Sequence, residues 1–221
     1  MQSTALFGGT FNPVHTGHLR VAEEVREGFG LDRVYFIPAA NPPHKTKRAL
    51  ASAADRYEML MRAVQGNPAF EVSDIELQRT GNSYTIDTVE QFLKSRGDKS
   101  SNCRLVMGMD AFAEIETWKS YSKLFERIEV IVLSRPADSG QDDLVSMVSE
   151  VISGRIGENY SFEQENQRFV HPEKRAIYPF AVTALDISAS LIRRLAAAGS
   201  SIKYLVPEGV EAYIQEKGLY L

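Results

Sequence analysis

The apolar positions of this chain switch between consecutive runs and helical spacing, and the switches lay out its elements. Ala5-Leu6-Phe7 reads as the end of a short buried strand, broken at once by Gly8-Gly9. Leu19, Val21, Ala22 and Val25 then begin a helical pattern that runs from about His18 to Gly28 and stops at Phe29-Gly30. Val34–Pro38 is a second apolar strand, and two prolines keep the following loop, Ala39–Arg48, out of a helix. Ala53–Val64 has the spacing of an amphipathic helix with Tyr57, Leu60, Met61 and Val64 on its inner side. Phe70–Leu77 alternates like a strand, and Thr85–Lys94 is predicted as a helix with Ile86, Val89, Phe92 and Leu93 inward. Arg104–Met107 and Val130–Leu133 are further strands, with a short helix over Ala111–Ile115 between them. A helix over Leu144–Ile152 precedes a polar stretch, Gly154–Arg168, in which no period is visible. Phe169-Val170 and Ile177–Leu185 read as strands, Ser188 or Ser190 starts a helix with Leu191, Ile192 and Leu195 inward, and Pro207 opens a last one.

Strands alternating with helices predict an α/β fold: a doubly wound parallel sheet flanked by helices, joined by right-handed crossovers. The expectation is one domain over residues 1–221, with about 186–221 as a small C-terminal helical part. Ligands of such sheets sit beyond the carboxyl ends of the strands.

Composition narrows the functions. With 43% hydrophobic residues among 221, the chain can bury a core without staples. A net charge of −4 argues against a general nucleic-acid binder and leaves room for a local basic pocket. The single cysteine, Cys103, excludes an intrachain disulfide and fits a reducing compartment. No apolar run approaches the length of a membrane span, and the chain runs straight into its glycine turn, so a cytoplasmic protein without membrane contact is expected.

The chemistry gathers at residues 5–20, ALFGGTFNPVHTGHLR. Strand, glycine turn and helix follow within about twenty residues, the layout of a phosphate-binding βα unit. Glycines let the backbone approach an anion, and a helix N-terminus offers N–H groups and a positive dipole end. His15 and His18, three apart at the helix entrance, can face one ligand, and Gly17 leaves room beside them. No Gly-Lys-Ser/Thr follows and no GxGxxG is present, so this is neither a P-loop nor a dinucleotide fingerprint. No third ligand stands at metal-like spacing.

Other candidates lie at predicted strand ends. The loop after the second strand is basic, with His44, Lys45, Lys47 and Arg48. Gly108 and Asp110 follow the strand at Arg104–Met107, where an acid suits a ribose hydroxyl or caps a helix. Arg135 adds charge after Val130–Leu133. Tyr84-Thr85 opens a helix, where Ser83 or Thr85 serves as a cap or the pair meets a carboxylate or a ring. Trp118, the only tryptophan, stands between two helical stretches and suits stacking on a flat ring. Arg193 falls early in a helix, where a cation opposes the dipole and calls for an anion.

GGTFNPVHTGHL closely resembles the T/HxGH signature of the nucleotidylyltransferase superfamily, and most nearly its nicotinate-nucleotide adenylyltransferase family. The PPHK loop, SYT at 83–85, GMD at 108–110, Trp118, the Arg135-Pro136 step, ISASLIR at 187–193 and the YLVPEGVEAYI tail resemble that family's later motifs in order. Ala189 departs from it, standing where the family usually has serine. The resemblance implies a Rossmann-like nucleotidylyltransferase domain that joins ATP and nicotinate mononucleotide to give nicotinate adenine dinucleotide and pyrophosphate. It implies catalytic roles for His15, His18, Lys45 and Arg193, and ATP contacts from Gly8, Gly9, Thr10, Phe11, Gly17, Gly108, Asp110, Arg135, Ser188 and Ser190. His44, Tyr84, Thr85 and Trp118 would meet nicotinate mononucleotide, and Mg²⁺ would arrive on the ATP phosphates without a protein ligand. A sister enzyme using nicotinamide mononucleotide or another phosphate acceptor, a non-catalytic nucleotide sensor, and assembly as a homo-oligomer stay open.

Overall fold

The computed structural model describes residues 2–41, 50–97, 102–134, 140–183 and 185–221. Its strands are β1 (Thr4–Gly9), β2 (Arg33–Pro38), β3 (Phe70–Val72), β4 (Cys103–Gly108), β5 (Glu129–Leu133), β6 (Ser161–Glu163), β7 (Arg168–Val170) and β8 (Ile177–Phe180), in the sheet order β3-β2-β1-β4-β5-β8-β7-β6. The helices are α1 (Thr16–Gly28), α2 (Ala53–Val64), α3 (Thr85–Ser95), α4 (Met109–Ala113), α5 (Tyr121–Arg127), α6 (Gln141–Val151), α7 (Ala189–Ala197) and α8 (Glu208–Lys217). This is the expected α/β class. The chain forms two compact units, Met1–Phe7 with Tyr84–Ala184, and Gly8–Ser83 with Leu185–Leu221.

In the first unit β1 pairs with β4 in parallel (Ala5 opposite Arg104), β4 with β5, and β5 with β8. Leu105, Val106, Val130, Ile131, Val132 and Ile177 are buried, as strands covered on both faces require. Phe112 of α4 and Phe125 of α5 pack edge to face with centroids 6.3 Å apart. The sheet is not parallel throughout: β6 and β7 run antiparallel, as do β7 and β8. The stretch Gly154–Arg168 therefore holds a strand where none was expected. β6 contributes one aromatic, Phe162, which meets Phe169 of β7 at 4.9 Å. A single apolar residue in three leaves no period to read.

In the second unit β2 pairs in parallel with the edge strand β3. Val34 to Ile37 are buried without a break. β3 is shorter than the alternation over Phe70–Leu77 predicts, because the chain turns after Val72 and the Gln78 N–H bonds back to the Asp74 carbonyl at 3.1 Å. Helix α2 covers its predicted residues and is capped by Ser52, whose hydroxyl accepts from the Asp55 N–H at 3.0 Å. Its inner face is rotated from the expected one: Arg56, Met59, Leu60, Ala63 and Val64 are buried, while Met61 is 44% exposed. Tyr213 of α8 donates to Asp55 at 2.9 Å and fastens α8 onto α2.

Candidate active site

Strand β1 includes both glycines that were expected to break it, and the turn begins at Thr10. Gly9 is fixed by sterics: a Cβ there would lie 2.9 Å from the Phe11 ring. Phe11 adopts a left-handed backbone, φ 47°, rare for a side chain of its size, and lays its ring edge to face on His18 at 5.1 Å. Asn12 to His15 are buried, and α1 starts at Thr16.

The two histidines meet each other. Their ring centroids are 3.7 Å apart with planes tilted by 30°. The backbone N–H of His15 donates to Nδ1 of His18 at 3.2 Å. An accepting Nδ1 carries no proton, so the neutral His18 ring holds its hydrogen on Nε2, the form that donates to an anion. His15 is 7% exposed, and burial lowers its pKa to about 4. Near neutral pH it is an uncharged imidazole, whose Nδ1 has no hydrogen-bond partner among the described residues. The room at Gly17 is taken by this ring, since a Cβ on Gly17 would lie 3.1 Å from Nδ1 of His15. The missing side chain at Gly17 therefore makes space for the histidine ring.

Helix α7 belongs to the same unit and reaches the turn. Ser188 is its N-cap, accepting from the Leu191 N–H at 3.1 Å. Arg193 donates to the Asn12 carbonyl at 2.8 Å and to the Ser190 hydroxyl at 3.1 Å. The guanidinium so placed has further N–H donors to offer an anion. The second unit thus brings together Gly8, Gly9, Thr10, Phe11, His15, Gly17, His18, Ser190 and Arg193, with Ser188 spending its oxygen on the cap.

The first unit carries the remaining candidates. Tyr84 is the N-cap residue of α3 and makes no side-chain cap bond; Thr85 is the first helical residue. The expected cap from Ser83 does not form, because its hydroxyl accepts from the N–H groups of Ala40 (2.9 Å) and Asn41 (3.3 Å). Gly108 ends β4 and caps α4, so Asp110 is not the cap but an exposed residue of the first helical turn. Trp118 is half-buried after a one-turn 3₁₀ helix, Ile115–Thr117, and not part of the core. Lys119, which sequence reasoning passed over, lies 4.8 Å over the Tyr84 ring and bridges Asp87 at 2.9 Å. Burial raises the Cys103 thiol's pKa and leaves it an unreactive core residue. His44, Lys45 and Arg135 lie outside the described residues, as do Lys47 and Arg48.

Two further residues escaped the sequence reading. Arg56 is 1% exposed and donates to three carbonyls: Thr10 at 2.9 Å, Ala51 at 3.1 Å and Ala40 at 3.3 Å. Tyr220 donates to Oδ1 of Asn12 at 2.8 Å, and the same oxygen accepts from the Ala51 N–H at 3.1 Å.

Residues 6–195, which hold the glycine turn and the paired histidines, match the model of the cytidylyltransferase-like family, a nucleotidyltransferase class of protein. A protein of Geotalea uraniireducens called "Probable nicotinate-nucleotide adenylyltransferase" is 40% identical over 97% of this chain and 96% of its own length. One from Desulfatibacillum aliphaticivorans with the same name is 43% identical over 98% of both. The chain belongs to the cytidylyltransferase-like family and, within it, to the nicotinate-nucleotide adenylyltransferases. The fold matches that of a Plasmodium falciparum nicotinic acid mononucleotide adenylyltransferase solved with NaAD, with TM-score 0.74, 16% identity, and coverage of 100% of this chain and 98% of that one. Among the described residues no helix is long and apolar enough to cross a membrane.

Proposed function

We propose that this chain is a nucleotidyltransferase of NAD biosynthesis that joins ATP and nicotinate mononucleotide, giving nicotinate adenine dinucleotide and pyrophosphate. The observation that carries the reading is the His15–His18 pair at the entrance of α1, in a chain about 40% identical over its length to proteins of that name. A phosphate oxygen of the mononucleotide attacks the α-phosphorus of ATP, the bond to the bridging oxygen breaks, and pyrophosphate leaves. The nucleophile is already an anion, so positioning and charge stabilisation carry the catalysis. His18 donates from Nε2 to the α-phosphate as charge grows, His15 supports it as a neutral imidazole, and Arg193 and Lys45 stabilise the leaving pyrophosphate. ATP contacts are assigned to Gly8, Gly9, Thr10, Phe11, Gly17, Ser188 and Ser190, a ribose contact to Gly108 and Asp110, and a phosphate contact to Arg135.

Tyr84, Thr85, Trp118 and His44 receive the mononucleotide. The positive end of the α3 dipole, where Tyr84 makes no side-chain cap bond, supports a carboxylate over an amide on the pyridine ring, with Lys119 nearby and paired to Asp87. The turn's own groups are N–H, imidazole and guanidinium donors, and no cluster of three or more His, Cys, Asp or Glu occurs among the described residues. Such donors fit a Mg²⁺ that arrives on the phosphates, where it supplies charge neutralisation. One domain over 1–221, a cytoplasmic setting and small-molecule partners complete the reading, supported by the family match over 6–195 and the −4 net charge.

Pyrophosphate release with ATP, comparing nicotinate and nicotinamide mononucleotides, tests it. Strong preference for the acid, lost in His18→Ala, is expected. Equal use of both discards the carboxylate argument, and no release with either while ATP still binds favours a different acceptor or a nucleotide sensor.

A further inference from the structure

The turn that presents the histidines contains an unfavourable backbone geometry at Phe11, φ 47°. Such a residue persists only where its surroundings over-determine it. Here the two carbonyls flanking it are each held by a guanidinium: Thr10 by Arg56 at 2.9 Å and Asn12 by Arg193 at 2.8 Å. The Asn12 side chain is held in turn by Tyr220 at 2.8 Å and the Ala51 N–H at 3.1 Å. Arg56 has the chemistry for this task. Its planar fork spans three backbone oxygens from separate segments, which a lysine ammonium on a single stem does not match. Burying a guanidinium is costly and lowers its pKa, so its place at the inner face of α2 calls for a use. Phe11 converts the held backbone into a side-chain position, because its ring is the wall against which His18 lies, at 5.1 Å.

We propose that Arg56 and Tyr220 are positioning residues for nucleotidyl transfer: they lock the Thr10–Asn12 backbone and, through the Phe11 ring, set the His18 imidazole against the reacting phosphate. Neither is assigned a contact with substrate. The inference rests on the adenylyltransferase reading.

The test compares Arg56→Lys and Tyr220→Phe with wild type in pyrophosphate release with ATP and nicotinate mononucleotide, together with amide hydrogen exchange over residues 10–18. Misplacing a reacting group by about 1 Å costs on the order of a hundredfold, so a partial loss of the lock should lower kcat about tenfold in Arg56→Lys and a few-fold in Tyr220→Phe. The KM for nicotinate mononucleotide should stay within about twofold, because the pyridine contacts are untouched. Exchange at Phe11–His15 should quicken in both. The double variant should lose less than the product of the single losses, since both residues act on one turn. Wild-type kcat and unchanged exchange in both variants, with only a lower melting temperature, would overturn the proposal and leave the two residues as scaffold. Should Arg56→Lys not fold, Tyr220→Phe alone decides, as it removes one hydroxyl and keeps the ring. Should the wild-type protein release no pyrophosphate, the adenylyltransferase reading fails, and exchange at 10–18 still decides the lock.

Discussion

Replacing Gly17 by alanine separates stability from activity in one residue. A Cβ at this position would lie 3.1 Å from Nδ1 and 3.2 Å from Cε1 of His15, where ordinary contact begins near 3.4 Å. The His15 ring has to give by a few tenths of an ångström, and the face of His18 is 3.7 Å away, centroid to centroid. The displacement therefore passes into the His18 imidazole, the proposed donor to phosphate. The helix itself prefers the change: alanine is favoured over glycine by up to about 1 kcal/mol. For a chain of this size that corresponds to roughly 2–4 °C in Tm. The ring shift offsets part of this, so Tm should hold or rise slightly. Catalysis depends on geometry to a fraction of an ångström, and kcat for pyrophosphate release should fall about tenfold. Thermal unfolding and a steady-state assay on the same preparation measure both. A variant with raised Tm and wild-type kcat would show that the ring moves without consequence, and the account of Gly17 would be wrong.

Gly9→Ala should be harsher, because the added carbon would meet the Phe11 ring at 2.9 Å; a loss of about 1–3 kcal/mol in urea unfolding and a drop in kcat are expected. His18→Ala should reduce kcat about 10²–10³-fold without a matching loss of fold, read by pyrophosphate release beside circular dichroism. His15 gives a pH dependence of stability. Its folded pKa of about 4 lies below the ordinary 6.5, so the unfolded chain binds more protons between those values and stability falls as pH drops through that window. The contribution is on the order of 3 kcal/mol, and urea midpoints from pH 7 to 4 should slope less steeply in His15→Asn. Ser188→Asp should keep the α7 cap and Tm yet raise the KM for ATP; an unchanged KM would remove Ser188 from the phosphate side.

The layout of the histidine turn was readable because it is local. GGTFNPVHTGHL places turn, helix entrance and both histidines within a dozen residues, and sheet geometry puts them at a strand end. What could not be read depends on contacts distant in sequence. Arg56 sits in an amphipathic helix where an arginine reads as a solvent residue, and its partners Thr10 and Ala40 lie 46 and 16 positions away. With Arg56 buried, the inner face of α2 takes in this cation and leaves Met61 outside. Tyr220 meets a residue 208 positions earlier. Ser83 resembles a helix cap in sequence and is used instead by the backbone of Ala40 and Asn41. The antiparallel strands were half legible: Phe169-Val170 showed β7, while β6 was too short to carry a pattern.

The sheet is bounded by β3 at one end and β6 at the other, three residues each. Both margins carry charge, with Glu71 beside Arg33 at 3.2 Å and Glu163 beside Arg168 at 2.6 Å. A second copy that tried to extend the sheet would find a ladder of at most a few hydrogen bonds, fringed by ionised groups whose hydration it would have to strip. Fibrous, strand-to-strand growth is thereby discouraged at each of these edge strands. Association of copies through side-chain surfaces of helices and loops would meet no such obstacle.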